Sequence, residues 1–189
     1  MKKFELTSET KINIFGKKLF RIKALVSFGV VKTGETGGWV EKEENVNQSG
    51  DAWVFDNAEV FDNARVFGNA EVSGNARVFG NAEVSDNAWV SGNARVFGNA
   101  EVSDNAWVSG NAEVSDNADY ATIHGFGTQF RTTTFFRCKD KQVKVSCGCF
   151  YGTIPEFCEQ VKNTRKGKIA EEYLMIADLM EKHFAEEAK

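Results

Sequence analysis

At 189 residues, 42% hydrophobic and with one proline, the chain is long enough to bury a core and to make one or two domains. It has no run of about 18 apolar residues and nothing like a signal peptide after Met1-Lys2-Lys3, so a soluble, cytoplasmic protein is expected. The net charge of −4 is uneven: residues 52–121 carry 3 Lys/Arg against 11 Asp/Glu, while both flanks are mildly basic, which argues against duplex nucleic acid as a ligand.

The first segment, FELTSETKINIFGKKLFRIKALVSFGVV, alternates as two or three strands would, and Ile12, Ile14, Leu19, Ile22 and Leu25 are its expected core. Gly38-Trp39-Val40 and Asn45-Val46 then read as degenerate copies of a unit that becomes regular at Ala52, with 47–51 as a loop between. From Ala52 to Asn117 the pattern Ala-x-Val-x-(Gly/Asp)-Asn runs eleven times without a gap. Ala and Val alternate with variable residues, as in a short strand with one buried face. The Gly/Asp-Asn pair tolerates a left-handed backbone and turns a corner.

A second period lies over the first. Residues 70–87 and 88–105 are identical except that Glu71 becomes Trp89. Three hexads therefore make one turn of a three-sided coil, and residues 18 apart share a side. Side one carries Trp53, Glu71, Trp89 and Trp107; side two carries Glu59, Arg77, Arg95 and Glu113; side three carries Arg65, Glu83, Glu101 and Asp119. Eleven hexads give just under four coils, a stack of roughly 17–18 Å at the spacing of paired strands. Its two open ends need caps.

After the repeat, TTTFFRCKDKQVKVSCGCF reads as a hairpin around Asp140-Lys141, pairing Cys138 near Val143 and Cys147 near Thr134. TIPEFCEQVKNT reads as a helix capped by Thr153, with Pro155 in the first turn and Glu156 three residues after the cap. KIAEEYLMIADLMEKHF reads as a longer amphipathic helix with Ile169, Tyr173, Ile176, Leu179 and Met180 on one face.

The Val54-to-Val114 and Ala52-to-Ala112 series resemble the hexapeptide-repeat family of left-handed parallel β-helices. One departure is that the family's glycine after the aliphatic residue is here Phe or Ser, with Gly/Asp one place later. TGETGGWVEKEENV before the repeat and VSCGCFYGT after it resemble hexapeptide-repeat proteins of bacteriophages and prophages. The expected fold is thus mainly β: a three-sided left-handed parallel β-helix of about four coils (52–121), an N-terminal β cap with a degenerate first coil (1–51), and a small C-terminal α+β unit of a hairpin and two helices (122–189).

Family resemblance implies one enzyme reading. Many hexapeptide-repeat proteins are acyltransferases whose CoA arm lies in a subunit cleft beside a catalytic histidine. His124, where the repeat breaks down, is the candidate base; His183, near the end of the last helix, fits a favourable C-terminal charge. The short stack weakens this reading, and fold alone does not carry activity. The four cysteines, all within 138–158, lack the spacing of paired CxxC knuckles, so reduced packed thiols and no metal are expected.

The outward faces point elsewhere. Side one presents Trp53, Trp89 and Trp107 with serines beside two of them; side two presents Phe61, Phe79 and Phe97 beside Arg77 and Arg95. Aromatic columns on an outward strand face mark an interface, and Trp and Arg dominate binding energy at such faces. Glu83, Glu101 and Asp119, with Asp86 and Asp104 at the corner, make side three acidic, which fits solubility. The expectation is a non-enzymatic binding module without cofactor, phage-encoded and homo-oligomeric (dimer or trimer). It would recognise a host protein or sequester a small molecule, with inhibition of a host defence as a role. The alternative is an acyl-CoA-dependent acyltransferase using His124 at a subunit interface.

Overall fold

The computed structural model of the chain describes residues 2–185. Parallel strands stack into a three-sided β-solenoid of about four turns. Side one is the sheet of β4 (Trp53–Val54), β7 (Glu71–Val72), β10 (Trp89–Val90) and β13 (Trp107–Val108). Side two holds β5 (Glu59–Val60), β8 (Arg77–Val78), β11 (Arg95–Val96) and β14 (Glu113–Val114); side three holds β6 (Arg65–Val66), β9 (Glu83–Val84) and β12 (Glu101–Val102). The register is 18 throughout, as with Trp89 on Trp107 and Arg77 on Arg95. Every repeat Ala and Val is at most 1% exposed, so the interior is one column of small and branched side chains.

The corners explain the Gly/Asp choice. Gly68, Gly74, Gly80, Gly92, Gly98 and Gly110 take φ of +65° to +71°, and Asp56, Asp62, Asp86 and Asp104 take +53° to +60°. Aspartate tolerates this region poorly unless its side chain bonds locally. Here the carboxylate reaches the next coil: Asp56 Oδ2 accepts from Gly74 N at 3.1 Å and Asp86 Oδ2 from Asp104 N at 3.3 Å. The neighbouring asparagines form ladders, Asn69 to Asn87 at 3.0 Å and Asn87 to Asn105 at 3.4 Å.

Backbone donors point mostly towards the next coil: Trp53 N to Ala70 O, Phe55 N to Val72 O, Asn57 N to Gly74 O. Carbonyls are therefore left at the first coil and N–H groups at the last, and the two caps match this polarity. At the first coil the caps are donors. Lys3 is 4% exposed, and its Nζ donates to Gly50 O at 3.2 Å and Ala52 O at 2.8 Å. Asn45 Nδ2 donates to Ala64 O at 2.8 Å and Arg21 Nη1 to Asp56 O at 2.6 Å. At the last coil the free N–H groups meet acceptors: Thr134 Oγ1 takes Trp107 N at 3.0 Å, Asn117 Oδ1 takes Glu101 N at 2.7 Å, and Asp119 Oδ2 takes Ser115 N at 2.8 Å. Buried backbone groups without partners are costly, so this matching is what ends the stack.

The N-terminal strands β1 (Phe4–Ile12), β2 (Lys18–Ala24) and β3 (Thr36–Val40) extend side two into a seven-stranded sheet, with Trp39 in register with Glu59. Val46 bridges to Val66, so both degenerate units join the coil. Leu19 and Ile22 are buried; Ile12, Ile14 and Leu25 are exposed, contrary to expectation. The register shift between Leu6 and Thr10 and the Asn13–Lys17 turn put the two isoleucines at the hairpin tip, and Leu25 points away from the face that buries Ile22 and Ala24.

Beyond the coil, β15 (Tyr120–Phe126), β16 (Arg131–Arg137), β17 (Val143–Cys147) and β18 (Phe150–Thr153) form an antiparallel sheet. Strand β16 shows how it is used. Phe136 faces the solenoid core, while Phe135 faces a second core with α1 (Ile154–Thr164) and α2 (Gly167–Phe184). The capping box of Thr153 and Glu156 starts α1 as its sequence predicts. Helix α2 buries Tyr173, Ile176, Met180 and Phe184, but Leu179 lies with Met175 on the exposed face. The β16–β17 register is Arg137 on Val143 and Thr133 on Cys147, one residue from the expected pairing, because Lys141 at φ +63° adds a residue to the turn. No helix among the described residues is long and apolar enough to cross a membrane.

Candidate functional site

Of the residues predicted to bind, the structure separates those covered by the chain itself from those left open. Trp53 is 0% exposed, so it leaves the tryptophan face. Phe4 and Phe28 close on it edge-on at 5.8 and 5.4 Å, and β3 lies against it at Gly37, where a Cβ would sit 2.5 Å from Cζ2 of the indole. The first coil has nothing before it on side one, and the N-terminal segment fills that space.

The Phe column is also covered. Phe61, Phe79 and Phe97 stack at 5.0 and 5.1 Å with planes within 6°. Phe15, from the turn between β1 and β2, lies over the first two at 5.4 and 5.2 Å, and Phe61 is 1% exposed. The cover comes from the N-terminal hairpin, which removes Phe61 as a contact residue and accounts for most of the column within one chain. Arg77 and Arg95 are similarly committed. Arg77 Nε donates to Glu59 Oε2 at 3.2 Å; Arg95 pairs with Glu113 and lies over the rings of Phe79 and Phe97. Two like charges in register are thus each neutralised by the glutamate on the other side.

Side three is less acidic than its residues suggest. Glu83 pairs with Arg65 at 3.5 Å, and Asp119 leaves the column for a 3-10 turn (Asn117–Asp119), where it accepts from Ser115 and Asp116 and pairs with Arg137 at 3.5 Å.

Trp89 and Trp107 remain. Their indoles stack with centroids 4.9 Å apart and planes within 8°, and Trp89 is 40% exposed. Each is held by a serine of the preceding coil: Trp89 Nε1 donates to Ser73 Oγ at 3.0 Å and Trp107 Nε1 to Ser91 Oγ at 3.4 Å. Thr134 fixes the backbone of Trp107. The serines therefore set the indole orientation.

A cavity of about 210 Å³ adjoins Trp107, lined also by Ser109, Gly110, Ser146, Gly148, Cys149, Phe150 and Tyr151. Sequence reasoning does not reach it, because the turn between β17 and β18 folds over the last coil from far along the chain. Gly110 is the one local signal: its φ is +65°, and a Cβ there would collide with the Tyr151 hydroxyl. Burial pushes the Tyr151 phenol above its usual pKa, with Cys138 adding to the rise, so the hydroxyl keeps its proton at neutral pH.

Groups considered for chemistry lie apart. His124 is exposed on β15, with Nδ1 3.2 Å from Thr132 Oγ1 and no carboxylate bonded to it among the described residues. His183 lies in the last turn of α2, edge-on to Phe184 at 4.9 Å. Cys138 is buried at the end of the solenoid, where desolvation pushes its thiol up to about 11; Cys147 accepts from Thr133 Oγ1 at 3.1 Å, Cys149 is exposed, and Cys158 is on α1. Among the described residues no three His, Cys, Asp or Glu side chains come together in a way that would hold a metal ion.

Set against models of known protein families and against curated proteins, the chain shows no significant match to any of them.

Proposed function

We propose that the chain is a non-enzymatic binding module whose recognition surface is the Trp89–Trp107 column and the cavity at its end. The observation that carries this reading is selective exposure. Trp53, Phe61 and Phe79 are covered by the N-terminal segment, whereas Trp89 stands 40% exposed, oriented by Ser73, beside an indole that lines a cavity. Rigid aromatic side chains lose little conformational freedom on binding and so bind efficiently. The cavity favours a small molecule over a flat protein face.

The phage-like end segments support a place in the cytoplasm of a bacterial host, where such a module would sequester a small molecule or recognise a host protein and so inhibit a host defence. Self-association through the remaining tryptophan face belongs to the same reading. The competing acyl-CoA-dependent transferase rests on His124, which is exposed with Thr132 as its bonded neighbour. His124→Ala is expected to leave binding unchanged.

The four indole N–H groups give a direct test. Addition of the macromolecular or the small-molecule fraction of a bacterial lysate to 15N-labelled protein should shift the Trp89 and Trp107 resonances and leave those of Trp39 and Trp53 in place. No shift with either fraction, or equal shifts of all four, would overturn the reading.

A further inference from the structure

We propose that the space beyond Trp107 takes the base of a nucleotide, and that Arg131, with Arg165 behind it, takes the phosphate; this rests on the binding reading above. The first observation is a vacant place in a stack. Trp89 covers one face of Trp107 at 4.9 Å, and the cavity is lined by Trp107 but not by Trp89, so it opens on the side away from that neighbour. Within the coil an aromatic in column with Trp107 would come from the next turn. The repeat stops, and the β17–β18 turn stands off instead. A flat ring seated there continues the column, and every nucleobase has a face to stack.

Size and polarity narrow the class. About 210 Å³ is below the range of drug-sized ligands and has room for one planar ring system. Ser109 and Tyr151 hydroxyls lie among the lining groups and can donate to or accept from ring heteroatoms.

The anion site is the second, independent observation. A neighbouring cavity of about 120 Å³ shares Cys149 and Phe150 with the first and is lined by Arg131 and Arg165 together with Thr128 and Thr164. Among the described residues no carboxylate lines either cavity. Of the seven arginines, Arg21, Arg65, Arg77, Arg95 and Arg137 have carboxylate partners, whereas among the described residues Arg131 and Arg165 have none. Among the described residues the guanidinium of Arg165 reaches only the Thr164 carbonyl, at 3.2 Å. Arg131 lies against the turn between the cavities: a Cβ on Gly148, which lines the first cavity, would be 2.4 Å from Arg131 Nη1. Two unpaired guanidinium groups beside the Thr128 hydroxyl match a phosphate.

The test is titration of adenosine 5′-monophosphate, adenosine and inorganic phosphate against the full chain, read by tryptophan fluorescence and by the indole resonances. The monophosphate should quench Trp107 and shift its resonance saturably. Adenosine, or the monophosphate with Arg131→Gln, should bind about tenfold or more weakly, as loss of a charge-assisted contact requires. Trp107→Ser should abolish binding by calorimetry, with thermal melting to show that the variant folds, and Trp107→Phe should restore it. If the monophosphate leaves the Trp107 resonance in place, or binds the Arg131→Gln protein as well as the parent, the nucleotide proposal is wrong. In that case lysate-induced shifts of Trp89 and Trp107 would still uphold the binding module, and their absence would remove both.

Discussion

The ammonium of Lys3 donates to the carbonyl of Ala52 at 2.8 Å, closing the first coil of side one with a buried charge. Ala52 O would otherwise face the end of the stack without a donor. Desolvation lowers the Lys3 pKa to about 8, against an upward pull from Asp51. Between about pH 8 and 10.5 the unfolded chain holds the proton more firmly than the folded one, so this group makes folding more favourable as pH rises. Cys138, raised to about 11 by burial, acts in the opposite sense from about pH 9 upwards, so the Lys3 effect must be isolated by a variant. Lys3→Met should destabilise by about 1–3 kcal/mol through the unpaired carbonyls. Urea unfolding should show a larger loss near pH 10 than near pH 7.5, and an equal loss at both would contradict the assignment.

The three tryptophans of side one should behave as two classes. Trp53→Ala opens a cavity between Phe4, Phe28 and Gly37 and should cost about 3–5 kcal/mol. Trp89→Ser gives up an exposed stack and should cost about 1 kcal/mol. Denaturant midpoints at equal slope measure both; comparable losses would mean that Trp53 is not part of the cap.

Glu59 is 7% exposed and holds two cations, Lys11 Nζ at 2.7 Å and Arg77 Nε at 3.2 Å. Glu59→Gln should cost about 2 kcal/mol, because both cations are left beside a neutral group in a partly dry place. Glu83→Gln at the exposed Arg65 pair should stay within about 0.5 kcal/mol. Urea unfolding distinguishes the two, and equal effects would show that burial does not matter here.

The solenoid was legible because periods of 6 and 18 impose both its corners and its sides, and Ala-x-Val alternation leaves no other face to bury. The caps were half legible. Thr153 and Glu156 announce a helix start within four residues, whereas Phe4, Phe15 and Phe28 carry no period that ties them to Trp53 or to the Phe column. Which column stays open is thus decided by contacts between distant segments. The same holds for the cavity: Trp107 stood out in the sequence, but Gly148 and Tyr151, which complete the space around it, meet it only after the sheet folds across the last coil.

Phe15→Ser tests the cover on side two. The structure predicts only about 1 kcal/mol of lost stability, since Phe15 is itself part-exposed, but a newly wetted Phe61–Phe79 stack. Sedimentation velocity should show stronger self-association in the variant than in the parent. Unchanged association would mean that the phenylalanine column has a cover other than this turn.

The most direct test of the tryptophan surface is native mass spectrometry of protein purified gently from bacterial cells, beside a Trp89→Ser, Trp107→Ser double variant matched for melting temperature. The parent should carry a bound mass, small-molecule or protein, that the double variant lacks. Equal loading of both proteins, or two bare chains, would contradict the claim that Trp89 and Trp107 form the recognition surface.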